Sequence, residues 1–182
     1  MKKISLSLMI ILFSLMNAQE NPTNKDSFFG IQAGLFGANI YNETSLSKEF
    51  VLRSEIDFET SLWGGDLYSK TGFALTPELS IAPKWYYNIS KRENDGKNTK
   101  YDSANYISAK VGFTPDWFVI SNVDGLEVNP MISFVPTWGL RRNFANHFNY
   151  EFQLGLGLGK ILKTGYSVQA VPNLSLRIGY DF

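Results

Sequence analysis

Cysteine is absent from the 182 residues, which excludes disulfides, thiolate metal sites and a cysteine-linked lipid anchor. Histidine occurs once, at His147. The net charge is nil, with 17 basic residues against 17 acidic ones, so the basic excess that a nucleic-acid partner would want is missing. No run of about 18 apolar residues is present, which excludes a helical membrane protein. The length allows one domain with a sizeable core and leaves little room for a second.

What the chain does hold begins with MKKISLSLMIILFSLMNAQ. Lys2 and Lys3 precede an apolar run from Ile4 to Met16 that is too short to span a bilayer and suits a secretory leader, with cleavage expected near Ala18 or Gln19. The expected division is therefore a signal peptide over 1–19 and a single exported domain over 20–182. Beyond it the sequence breaks into alternating segments at about 28–42, 49–63, 72–88, 104–121, 126–142, 147–162 and 166–182. Turn-rich pieces such as NVDG and LKTG separate them, and no convincing helix follows the leader.

These segments exceed the five or six residues usual in strands of soluble proteins, and their period is two. In the second, Phe50, Leu52, Ile56, Phe58 and Leu62 share one face, while Arg53, Glu55, Asp57, Glu59 and Ser61 share the other. In the sixth, Phe148 to Leu158 at even positions oppose Asn149, Glu151, Gln153, Gly155, Gly157 and Gly159. The pattern predicts an all-β antiparallel meander closed on itself.

Alternation alone does not say which face is inside. A soluble barrel hides its leucines; a membrane barrel shows them to lipid. Two features favour the second. Glycines (Gly112, Gly139, Gly155, Gly157, Gly159, Gly179) fall on the polar face, where a narrow bore filled with long charged side chains needs room. Aromatics on the apolar face gather near segment ends: Trp85, Tyr87, Trp138, Tyr180 and Phe182 toward one side, Trp63, Phe73, Trp117 and Tyr166 toward the other. Two aromatic girdles are expected at two membrane–water boundaries. The bore is then expected to pair Arg53, Lys84, Lys110, Arg141 and Arg177 with Glu55, Asp57, Glu59, Glu78, Glu151 and Asp181. Slipping the second segment by one residue would put four charges in lipid; an arginine there costs roughly 2–4 kcal/mol.

Leader, size, alternation and a closing segment NLSLRIGYDF together resemble the small outer-membrane β-barrels of the OmpA/OmpX type. The resemblance implies an outer membrane of a Gram-negative bacterium, Sec-type export and an up-and-down transmembrane barrel. It also implies that Tyr180 and Phe182 form a signal read by the barrel-assembly machinery. Its partners would be that machinery during insertion and outer-membrane lipid. Seven segments are readable, whereas such barrels have even numbers of strands, so about eight are expected. A split at Thr114 to Trp117 is one way to reach eight. Pro77, Pro83, Pro130 and Pro136 lie within segments and each removes a ladder donor, which predicts bulges or kinks.

Chemistry is sparse. His147 lies in the turn NFANHFNY, and Ser121, Ser133 and Glu151 are candidates for a lipid-modifying set by residue type alone. GLGLG lacks the lysine of a phosphate loop, and KRENDGKNTK is a solvated charge run first and an anionic-lipid contact second. The expected role is structural or interaction-related, without catalysis, cofactor or metal. The alternatives are a small pore and a soluble, lipocalin-like ligand binder. The oligomeric state is left open.

Overall fold

The period of two in the sequence becomes a sheet whose strands all run against their neighbours. The computed structural model describes residues 27–64 and 71–182, so the leader expected at 1–19 lies outside the described residues. The strands are β1 (Phe28–Gly34), β2 (Gly37–Ser45), β3 (Phe50–Trp63), β4 (Gly72–Trp85), β5 (Asn105–Thr114), β6 (Ile120–Ser121), β7 (Met131–Phe144), β8 (Phe148–Ile161) and β9 (Val168–Asp181). The chain is all-β, and this nine-strand antiparallel sheet closes in a ring. Eight strands make the circuit, each pairing with the next and β9 returning to β1 through Gly30↔Asp181 to Gly34↔Arg177. The short β6 takes up the edge of β4 where β5 has stopped, with Ala74↔Ser121 and Leu75↔Ile120.

Several expected boundaries are corrected. Segment 28–42 is two strands joined by a tight turn at Leu35 and Phe36, closed by the pair Gly34↔Gly37. Gly37 sits at φ 134°, where a Cβ would also strike the Phe58 carbonyl oxygen. The fourth segment does end at Thr114, and its remainder supplies only the two residues of β6. β7 begins later and ends later than the expected 126–142. The stretch after β4 holds a six-residue helix, α1 (Ile89–Asn94), where no helix was expected. Gly96 follows it at φ 66° and donates to the Glu93 carbonyl, a left-handed stop.

Prolines interrupt the ladder without bulging it. Pairing of β4 with β5 lapses at Ala82 and Pro83 and resumes at Lys84↔Ser108 in the same register. Pairing of β7 with β8 lapses at Val135 and Pro136 and resumes at Thr137↔Gly155, again unshifted. The expected bulges are therefore gaps of missing N–H donors. Pro77 faces the stretch where β5 has ended, and Pro130 precedes β7.

The two ends of the ring differ. The proximal end carries the start of β1, the end of β9 and the 86–104 connection. There Val51, Tyr86, Ile89, Ala104 and Tyr106 form a buried apolar cluster. The distal end carries the Leu35–Phe36 turn and the 115–130 and 162–167 connections.

Candidate functional site

Because strands place alternate residues on opposite faces, closing the sheet sends one whole set inward. The inward set is polar. Arg53, Asp57, Arg141, Glu151 and Asp181 are fully buried, and Lys84, Glu55, Glu78 and Arg177 nearly so. The outward set is apolar: Leu154, Leu156 and Leu158 are 55%, 68% and 60% exposed, and Leu174, Leu176 and Ile178 are comparably open. This inverts the arrangement of a soluble ring.

The interior charges form two tiers. In the proximal tier Glu151 is the hub. Its Oε2 accepts from Arg53 Nη1 (2.8 Å), Gln32 Nε2 (2.9 Å) and Arg141 Nη1 (3.3 Å). Its Oε1 accepts from Lys84 Nζ (3.0 Å), Gln153 Nε2 (3.2 Å) and the Tyr106 hydroxyl. Glu43 takes Lys84 at 2.8 Å and Arg53 at 3.0 Å, and Asp181 takes Arg141 at 2.5 Å and the Tyr41 hydroxyl. Three cations thus meet three carboxylates. The guanidinium of Arg53 also lies 3.8 Å from the Tyr41 ring centroid, and Lys84 lies 4.3 Å from that of Tyr106. Removing six charges from water is costly, and only such dense pairing offsets it.

The distal tier is more acidic. Lys110 reaches Glu78 at 2.7 Å, Asp57 at 3.3 Å and Glu59 at 3.9 Å, while Arg177 reaches Asp57 at 3.2 Å and Glu55 at 3.5 Å. Arg53 Nε lies 2.6 Å from Glu55 Oε1 and ties the tiers together. Glu59 belongs to the mouth rather than the buried network, its side chain being half exposed. Asn39, Asp57, Ser175 and Arg177 each keep one buried polar atom without a hydrogen bond here, as does Arg53 at its Nε in the proximal tier.

Glycines make room at two points on the inward face. A Cβ on Gly139 would fall 2.3 Å from the Tyr106 ring, and one on Gly30 equally close to the Tyr41 ring. Each phenol lies flat across a glycine and reaches a carboxylate beyond it. Sequence reasoning does not single out Gln32, Tyr41, Glu43, Tyr86 or Tyr106. Their shared inward parity with Arg53 and Glu151 is the available signal.

The aromatics expected at two levels are outward. Trp85, Tyr87 and Phe182 are exposed near the proximal end, and Phe73, Trp117 and Tyr166 near the distal end. Trp63 and Tyr180 are half-buried, Trp63 against Gly72 and Tyr180 against the His147 ring at 5.3 Å. Trp138 is corrected: it lies mid-strand, opposite Ile107 and Leu154, and its indole reaches the proximal level by donating to the Tyr87 hydroxyl at 3.0 Å.

His147, Ser121 and Ser133 are not brought together. His147 Nδ1 lies 2.8 Å from the Asp181 carbonyl oxygen and 3.1 Å from the Tyr101 hydroxyl at the proximal end. Ser121 donates to the Phe73 carbonyl at the distal end, and Ser133 is buried beside Gly112. No group of three or more potential metal ligands occurs among the described residues. No family model matches the chain, and no curated protein or solved structure matches it either.

Proposed function

We propose that this chain is a small integral β-barrel of the bacterial outer membrane, with a structural or interaction role in the envelope and no catalytic turnover. The observation that carries the reading is the inverted wall, with ion pairs in the bore and leucines at more than half exposure outside. In water that outer surface would be an apolar area far beyond what monomeric proteins leave uncovered. In hydrocarbon it is the favourable surface, and the ring gives each of its eight strands a partner on both sides over part of its length. The five 14-residue strands exceed the nine to eleven tilted residues needed to cross.

A small pore is the second reading. Against it stand the proximal tier, whose ion pairs cross the bore from β3 and β4 to β8 and from β7 to β9, and the apolar cluster of Val51, Tyr86, Ile89, Ala104 and Tyr106 at the same end. A soluble ligand-binding barrel would need an apolar interior, and the inward set is charged. The test is fractionation with gel migration. The protein should stay with membranes until detergent is added and should migrate differently before and after boiling. Recovery in a detergent-free soluble fraction would refute the reading.

A further inference from the structure

Two cations stand on the outward, apolar face of the described strands: Lys160 near the distal end of β8 and Arg142 near the proximal end of β7. Arg142 shares its parity with Trp138, Leu140 and Phe144 on β7, two residues from the proximal end of that strand. It is half-buried rather than extended into water. Its Nη1 donates to the Arg141 carbonyl at 2.7 Å and its Nη2 to Asn105 Oδ1 at 2.6 Å. Asn105 is held in turn by donating to the Tyr87 hydroxyl at 3.3 Å, the same hydroxyl that receives the Trp138 indole. Tyr150 faces Arg142 directly across the β7–β8 ladder. The guanidinium is therefore held by two hydrogen bonds to the wall, near Tyr87, Trp138 and Tyr150.

No carboxylate answers this charge. The bore cations Arg53, Lys84, Lys110, Arg141 and Arg177 each pair with one, whereas Arg142 pairs with none among the described residues and has the like charge of Arg92 acting on it. Arg92, on α1, is a like charge; its own Nε and Nη2 donate to the carbonyls of Ser103 and Asn98, which hold it in place. An anchored guanidinium without a carboxylate, at the height of the proximal aromatics, favours an anion beside it. A planar guanidinium binds phosphate oxygens through paired N–H donors. At that height on a wall facing hydrocarbon, the phosphate available is that of a lipid headgroup.

We propose that Arg142, framed by Tyr87, Trp138 and Tyr150, forms a binding site for the phosphate of an anionic lipid headgroup on the outer wall at the proximal end, with Arg92 of α1 adding positive charge. This rests on the membrane reading given above. The test is native mass spectrometry of the detergent-solubilised full chain titrated with phosphatidic acid, phosphatidylcholine or inorganic phosphate. Phosphatidic acid should be retained one per chain, in preference to phosphatidylcholine. Arg142→Gln should weaken that retention by roughly tenfold or more, the loss of a charge-assisted pair of hydrogen bonds. Arg92→Gln should weaken it less, and Lys163→Gln at the distal end should leave it unchanged. Unaltered heat-modifiable migration verifies that each variant is folded. Arg142→Lys keeps the charge but loses the fork, and should fall between wild type and Arg142→Gln. Equal retention by wild type and Arg142→Gln, equal retention of phosphatidylcholine, or inorganic phosphate binding as tightly as the lipid would overturn the site. A chain that inserts in membranes yet shows no such preference loses only this proposal; one that needs no detergent loses the membrane reading itself.

Discussion

At the scale of single residues, neighbours in one strand meet opposite demands. Glu151 points inward and serves three cations, Arg53, Lys84 and Arg141. Glu151→Ala leaves those charges buried and facing one another, and should cost about 3–5 kcal/mol, read from the urea midpoint in detergent. Leu154 points outward at the middle of β8. Leu154→Arg should cost roughly 2–4 kcal/mol in a bilayer, against near neutrality on a solvated surface. Gly139→Ala should cost about 1–3 kcal/mol by displacing the Tyr106 ring from Glu151. Combining it with Tyr106→Ala should cost less than the two single changes added together, because the clash is then gone.

At the scale of elements, the facing of β3, β4, β8 and β9 is legible from the sequence, and the places where reading fails have physical causes. Segment 28–42 looks continuous because Leu35 and Phe36 supply no polar turn signal. The break is nonetheless written in the phase: Phe29, Ile31 and Ala33 are outward at odd positions, whereas Ala38 and Ile40 are outward at even ones. The helix α1 escapes because six residues carry no helical period, and its one buried side chain, Ile89, is held by the ring rather than by the helix. The partners of Glu151 escape for a different reason. Arg53 is 98 positions away in sequence and becomes a neighbour only when β9 closes on β1. Ile89→Ala should loosen the cap, with a local loss of about 2–5 kcal/mol. Trypsin should then cut faster after Arg92, while the strands keep their resistance.

At the scale of the whole molecule, a closed ring with ion pairs across its bore predicts low or absent conductance in a planar bilayer, and stable large channels from the monomer would contradict it. The more central claim is the direction of the two faces. Because the chain has no native cysteine, single cysteines can be introduced along β8 and spin-labelled in reconstituted liposomes. Accessibility to oxygen, which concentrates in hydrocarbon, should be high at positions 154, 156 and 158 and low at 153, 155 and 157. The opposite alternation, or labels at 154, 156 and 158 that are reached by a water-soluble quencher instead, would contradict the account.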